Sequence, residues 1–279
     1  MSSVPRSKIT EFVEAHIQDF HKTRLQSLLT LRLNDILKRK NPYLFKAKAL
    51  ETAQDLVKPI LDAHLSSQEE GIFGGFLEQL ALFVCRYAYS GRKSSSAGID
   101  LDFEKDGVRY LVSVKSGPNW GNSGQIEKMK EDFRRAIRTL RTNQGRTRIV
   151  AINGCCYGRD NRPDKDEYLK YCGQRFWEFI SGDPDLYIDL IEPLGRKAKR
   201  RNEEFLREYA RVVNKFSMEF GREYCAPDGT ILWKKLVQFN SGKCQSQIDL
   251  PPFIGPLAGR VLGGSSCVKS ARVRRTQPV

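Results

Sequence analysis

Within residues 98–117 (GIDLDFEKDGVRYLVSVKSG), two aspartates, a serine and a lysine are spaced so that a hairpin would bring them together. Ile99, Leu101 and Phe103 alternate with Asp100, Asp102 and Glu104, the period of a strand with one apolar face. Asp106-Gly107 is the strongest short hairpin signal, because both central positions of a type I′ turn need positive φ. With those two residues as the loop, Lys105 pairs with Val108 and Asp100 comes opposite Ser113. Asp102 and Lys115 then project from the same face, while Tyr110, Val112 and Val114 line the other. A three-residue turn would move Asp100 to the wrong face, so the turn decides whether these groups meet. Carboxylates hold hard cations, and a lysine orients a water or offsets developing negative charge. Such a set suits hydrolysis of a phosphodiester without a covalent intermediate.

These residues resemble the PD-(D/E)XK nucleases, and among them the type II restriction endonucleases. The likeness rests on Gly98-Ile99-Asp100 in the first strand, Ser113-Val114-Lys115 in the second and the helix-strand order around them, over about residues 70–180. It implies an α/β (α+β) fold with a restriction-endonuclease-like core, a mixed central sheet flanked by helices, and helical additions at both ends. It also implies Mg²⁺-dependent, sequence-specific cleavage of double-stranded DNA by a homodimer, with Asp100 on the metal and Lys115 orienting the water. The family's usual acid two residues before the lysine is here Ser113, which cannot supply a metal charge and is left a supporting part. Some restriction enzymes of this superfamily carry a small hydroxyl residue there and recruit an acid from a nearby helix.

Glu78, in FLEQLALFV, is the first candidate for that acid, because an unpaired carboxylate in an apolar run is costly and a metal or lysine relieves it. Asp102 is the second, and Glu127 and Glu131 on the following helix are the third. Gln125, at that helix's start, is a candidate to position water or phosphate. Two other readings stand beside cleavage at a fixed sequence. One is a repair or junction nuclease on the same core. The other is a DNA-binding protein that kept the fold and lost the metal, which Ser113 invites.

The charge balance agrees with a polyanionic partner. There are 47 Lys and Arg against 33 Asp and Glu, a formal net charge of +14, and the chain stays basic when the acid-free stretch after Asp249 is set aside. Candidate DNA contacts are Trp120 and Asn119 in GPNWGNSG, Arg134, Arg138 and Arg141 on one flank of a helix, Arg159, and Lys199 and Arg200 in GRKAKRR. Cys155, Cys156 and Cys172 lack the two-residue spacer of a zinc site, and no histidine follows His64, so buried free thiols are expected. The opening MSSVPRSKITEF has no apolar signal segment and no run is long enough to span a bilayer, so the expectation is a cytoplasmic protein with no membrane role.

The elements that must position these residues follow from periodicity. One or two amphipathic helices are predicted over 8–40, ended by Asn41-Pro42, then helices over 46–65 and 71–90. After the hairpin come a helix over 125–142, a strand over 148–156 and a helix over 167–181. A long basic helix is predicted past Pro193, with a short element at ILWKKLVQF. The expected division is a helical region over 1–68, the nuclease-like core over 69–195, a helical region over 196–255 and a mobile basic tail over 256–279.

Overall fold

The computed structural model describes residues 4–144, 148–196 and 198–242. The expected tail, and the end of the C-terminal helical region, lie outside the described residues. Four helices lead into the sheet: α1 (Arg6–Thr30), α2 (Leu33–Leu37), α3 (Pro42–Ala47) and α4 (Ala53–Tyr89). Strands β1 (Leu101–Lys105) and β2 (Val108–Lys115) follow, then α5 (Ser123–Gln144), β3 (Arg148–Cys155) and β4 (Leu169–Cys172). The rest is helical: α6 (Gln174–Ser181), α7 (Leu186–Asp189), α8 (Ile191–Gly195), α9 (Ala198–Tyr224) and α10 (Trp233–Ser241).

The four strands form one mixed sheet in the order β1-β2-β3-β4, with β1 antiparallel to β2 and the other two pairs parallel. Asp106 and Gly107 have φ of 51° and 73°, as a two-residue hairpin turn requires. Lys105 therefore pairs with Val108 and Leu101 with Val112. The ladder ends at that rung: the Asp100 N–H donates at 2.8 Å to the carbonyl of Val112, the residue already paired with Leu101. Ile99 packs with Leu111 on the α5 side, so the alternation breaks at Asp100, and it does not come opposite Ser113, where the turn predicts it.

Side-chain alternation then divides the sheet. Leu101, Phe103, Val112, Val114 and Ile152 pack with α4, α6 and the first half of α1, whose contributions include Leu80, Phe176 and Val13. Leu111 and Ala151 face the other way, onto Met129, Phe133 and Ala136 of α5. A second core is purely helical and joins Leu28, Ile36, Leu56 and Leu61 to Phe216 and Phe220 of α9. The first half of α4 belongs to this helical core and its second half to the sheet core, so one 37-residue helix serves both. Residues through Ser241 form one compact unit.

Three elements differ from expectation. The helices expected over 46–65 and 71–90 are one, running through Gly71. A mid-helix glycine costs only about 1 kcal/mol, which the ion pair of Arg24 with Glu69 and the edge-on packing of Phe20 against Phe73 help to offset. Asn41-Pro42 does not merely end a helix. The Asn41 Oδ1 accepts from the N–H of Tyr43 at 3.0 Å and of Leu44 at 3.3 Å, capping α3 with Pro42 in its first turn. The helix expected over 167–181 is a strand followed by a shorter helix. The open edge of β3 pairs Ile152 with Leu169 through Cys155 with Cys172, a long-range ladder that overrides local helical pattern. Gly173 (φ 55°) then separates β4 from α6, where a Cβ would come within 2.6 Å of the Gly158 carbonyl oxygen.

Leu61 and Leu80 are both fully buried on α4, one in each core. Leu61→Ala and Leu80→Ala should each cost about 2–5 kcal/mol in chemical denaturation. Because α4 is common to both cores, each variant should still unfold in a single calorimetric transition. Two resolved transitions would show that the cores fold separately.

Candidate active site

Asp100 lies at the mouth of the hairpin. Its Oδ2 accepts from the Val114 N–H at 2.6 Å, which holds the carboxylate against the end of β2. Burial keeps its carboxyl above the usual aspartate range and the charge of Glu78 pushes the same way, while the Val114 N–H, Lys115 and Lys93 pull against them. Glu78 reaches this point from α4. It is half-buried, and its Oε1 accepts from the Lys93 ammonium at 3.3 Å. The thiol of Cys156 is pushed up to about 12, by burial first and by Glu78 second. Asp100, Glu78, Lys93 and Lys115 thus converge from a helix, a loop and the two arms of the hairpin. At Gly74, α4 passes the end of β2 at van der Waals distance, a Cβ there lying 3.7 Å from the Ser116 Cβ.

Other predicted site residues are occupied elsewhere. Asp102 does not share a face with Asp100, because the alternation breaks between them. It is gripped by Arg109, Nε to Oδ1 at 2.8 Å and Nη2 to Oδ2 at 2.6 Å, with Arg92 at 3.6 Å. The pair is buried, Asp102 at 7% exposure and Arg109 at 3%, which commits this carboxylate to a guanidinium rather than to a cation shared with Asp100. Gln125 closes a reciprocal cap with Asn122: its Oε1 accepts from the Asn122 N–H at 3.0 Å, and its own N–H donates to Asn122 Oδ1 at 3.0 Å. That contact, rather than water or phosphate, explains its place at the start of α5. Ser113 is buried, and its carbonyl accepts from Asn153 Nδ2 at 3.2 Å.

The arginine flank of α5 is divided. Arg134 binds Glu167 through Nε at 2.6 Å and Nη2 at 2.7 Å, and Glu127 at 3.0 Å, and these hydrogen bonds hold its guanidinium above its ordinary value. Arg134 and Glu127 therefore tie α5 to the segment before β4. Arg138 and Arg141 are exposed and have no ion-pair partner among the described residues, and Glu131 is also exposed. Asn119 and Arg159 are exposed on the loops after β2 and β3. Those loops run together, the Cys156 N–H donating to the Lys115 carbonyl at 2.9 Å and the Tyr157 N–H to the Ser116 carbonyl at 3.1 Å. Lys199 and Arg200 are exposed at the start of α9, in the helical layer. Trp120 is partly buried against α5, with its indole N–H donating to Asn153 Oδ1 at 3.1 Å and its ring 5.1 Å from the Lys115 ammonium.

Sequence reading missed Lys93 and Asn153. Lys93 stands in the loop GRKSSSAG with no pattern to mark it. Asn153 left a signal, a lone amide in the apolar run RIVAINGCC, where a buried polar group must find partners.

Among the described residues no group of three or more His, Cys, Asp or Glu is placed to hold a metal. Two carboxylates, Asp100 and Glu78, are near enough for each to feel the other's charge. Mg²⁺ keeps several waters and takes one or two carboxylates plus substrate oxygens, so this donor set fits a hard, substrate-completed cation. Cys155, Cys156 and Cys172 are buried and form no disulfide.

Asp100 and Asp102 should respond oppositely to substitution by asparagine. Asp102→Asn leaves a buried guanidinium without its counter-charge and should lose about 3–5 kcal/mol. Asp100→Asn, measured without divalent cations, should raise the melting temperature at neutral pH by about 2–4 °C. The folded state binds a proton at Asp100 more tightly than the unfolded chain does. The wild-type carboxyl is therefore favourable at pH below its unfolded value and loses that stability as pH rises through its folded value, so the gain in Asp100→Asn should vanish in acid. A metal-ligand role for Asp102 would instead show as reduced divalent affinity with little loss of stability.

No helix among the described residues is long and apolar enough to cross a membrane. No curated protein matches the chain. The family model of the type II restriction endonuclease EcoO109I matches residues 7–202, from α1 through the whole sheet and into α9. A match over well over half of the 279 residues, on a mixed sheet flanked by helices with carboxylates and a lysine at its hairpin mouth, places this chain in the type II restriction endonuclease EcoO109I family, as a nuclease of the restriction type.

Proposed function

We propose that the protein is a Mg²⁺-dependent, sequence-specific endonuclease of double-stranded DNA that works in the cytoplasm as a homodimer, one active site per strand. The observation that carries this reading is that the charges of Glu78 and Lys115 both act on the partly buried Asp100 at one end of the hairpin, in a chain of restriction-endonuclease family. Asp100 and Glu78 would hold the cation, with Glu78 replacing the acid that Ser113 lacks. The bound cation supplies an activated water and polarises the scissile phosphate.

The protein's own groups do the rest. Partial burial raises the strength of the Asp100 and Glu78 charges and makes a cation the natural complement to them. Lys115 projects from the end of β2 without a salt-bridge partner among the described residues, so its N–H donors are free for the attacking water and for charge on the phosphate. Lys93, which neutralises Glu78 in this structure, leaves that carboxylate when the site is loaded and stands next to where phosphate enters. Arg138, Arg141, Asn119, Arg159, Lys199 and Arg200 are the exposed candidates for backbone contacts, with Arg134 holding α5 in place.

On supercoiled plasmid with Mg²⁺, the wild-type protein should give discrete bands, and Asp100→Asn and Lys115→Ala should each lower cleavage by about 10²–10³-fold or more with DNA binding retained. Glu78→Gln should raise the Mg²⁺ concentration needed, whereas Glu127→Gln should not. Structure-selective nicking would indicate a repair or junction nuclease, and binding without cleavage a relic of the fold.

DNA affinity should fall steeply with salt, by about 0.9 in log K per log salt for each phosphate neutralised. Replacing Arg138 and Arg141 by Gln should make that slope shallower by up to about two units. Arg134→Gln should appear mainly as lost stability, and the reverse ranking would place Arg134 on the phosphates.

A further inference from the structure

Lys115 ends a strand, and a lysine there has a long, freely rotating stem. Its ammonium nevertheless lies over the Trp120 ring, 5.1 Å from the centroid. A tryptophan face attracts an ammonium through its quadrupole, most effectively where water is partly excluded. A carboxylate would also fix a lysine, but would neutralise it and compete for the N–H donors that a water or phosphate needs. Among the described residues Lys115 has no salt bridge, so the aromatic face is its restraint.

The ring is itself fixed. Its N–H donates to Asn153 Oδ1 at 3.1 Å, and Asn153 Nδ2 donates to the Ser113 carbonyl at 3.2 Å. Asn153 is 1% exposed and sits in β3 in register with Ser113, so it ties the tryptophan to the strand that carries Lys115, two residues before it. The loop bearing Trp120 is anchored again at Pro118, whose carbonyl accepts from Lys170 Nζ at 2.8 Å. At Gly117 a Cβ would fall 2.4 Å from the Tyr157 ring, and at Gly158 a Cβ would fall 2.5 Å from Pro118, so the loops after β2 and β3 are pressed together. This many constraints on a seven-residue connection are more than packing an exposed loop calls for.

We propose that Trp120, held by Asn153, is a positioning residue whose aromatic face aims the Lys115 ammonium into the site, rather than a DNA-contacting wedge. This inference rests on the catalytic reading of Lys115 given above.

The test uses the full-length chain. Lysines are reductively methylated with ¹³C-formaldehyde and the Lys115 resonance is assigned from its loss in Lys115→Arg. Without metal or DNA, that resonance should be shifted upfield by the ring current in the wild type, lose the shift in Trp120→Leu and keep much of it in Trp120→Phe. On unmethylated protein with Mg²⁺ and plasmid, Trp120→Leu should lower kcat by about 3–30-fold with KM for DNA little changed, and Trp120→Phe should recover most of the loss. An unshifted wild-type resonance overturns the proposal even if Trp120→Leu fails to fold. So does a Trp120→Leu enzyme that keeps wild-type kcat, or one that changes KM alone, while Lys115→Ala is inactive. If Lys115→Ala itself cleaves normally, the catalytic reading of Lys115 has failed instead, which the resonance shift reports on separately.

Discussion

The register of one hairpin decides what this protein can do. Because side chains alternate along a strand, a slip of one residue between β1 and β2 would turn Leu101 and Phe103 out of the core and Asp102 away from Arg109. Two features oppose that slip. The turn residues Asp106 and Gly107 both take left-handed φ, which closes the hairpin in two residues. Two residues closer to the turn than Asp100, the buried bidentate pair of Asp102 with Arg109 can form only when these strands are aligned as they are. A buried ion pair adds little net stability over apolar packing, but leaving either charge unpaired is expensive, so such a pair disfavours the wrong alignments. Asp102 thus supports the site by holding the strand on which Asp100 stands.

The second constraint is α4. Its first half is packed in the helical core and its second half against the sheet, and Glu78 lies on the latter part. Glu78, the acid proposed to answer for Ser113, therefore arrives on a rigid rod rather than on a loop. Its distance from Asp100 depends on how two cores pack on the same helix.

Charge is distributed by pairing. The chain is strongly basic, yet many of its cations are spent internally: Arg109 on Asp102, Arg134 on Glu167 and Glu127, Arg24 on Glu69 and Arg196 on Glu14 and Glu192. What remains for a polyanion is a smaller set than the count of lysines and arginines suggests, chiefly exposed residues of α5, of α9 and of the loops after β2 and β3. Lys115 stands apart from both groups, restrained by an aromatic face that leaves its charge intact.

Much of this was legible in the residues. Asp-Gly between two alternating arms specified the turn, the register from Leu101 to Val112 and the face shared by Ser113 and Lys115, because those are local consequences of backbone sterics and a period of two. The break in alternation that takes Asp100 off that face left no signal. A glutamate in the apolar run of α4 marked Glu78 as a carboxylate in need of a partner. Tertiary structure decided the rest. Residues 169–172 are a strand because β3 offered them an edge, and Gly71 lies within a helix because packing outweighed a cost of about 1 kcal/mol. Asp102 went to Arg109, Gln125 to Asn122 and Trp120 to Asn153 and Lys115, although each had seemed available for a cation, a water or a base. Residue type and spacing state what a side chain is able to bind. Which of several competent partners it binds depends on distances between segments far apart in sequence, and those distances exist only once the sheet and its helices have packed.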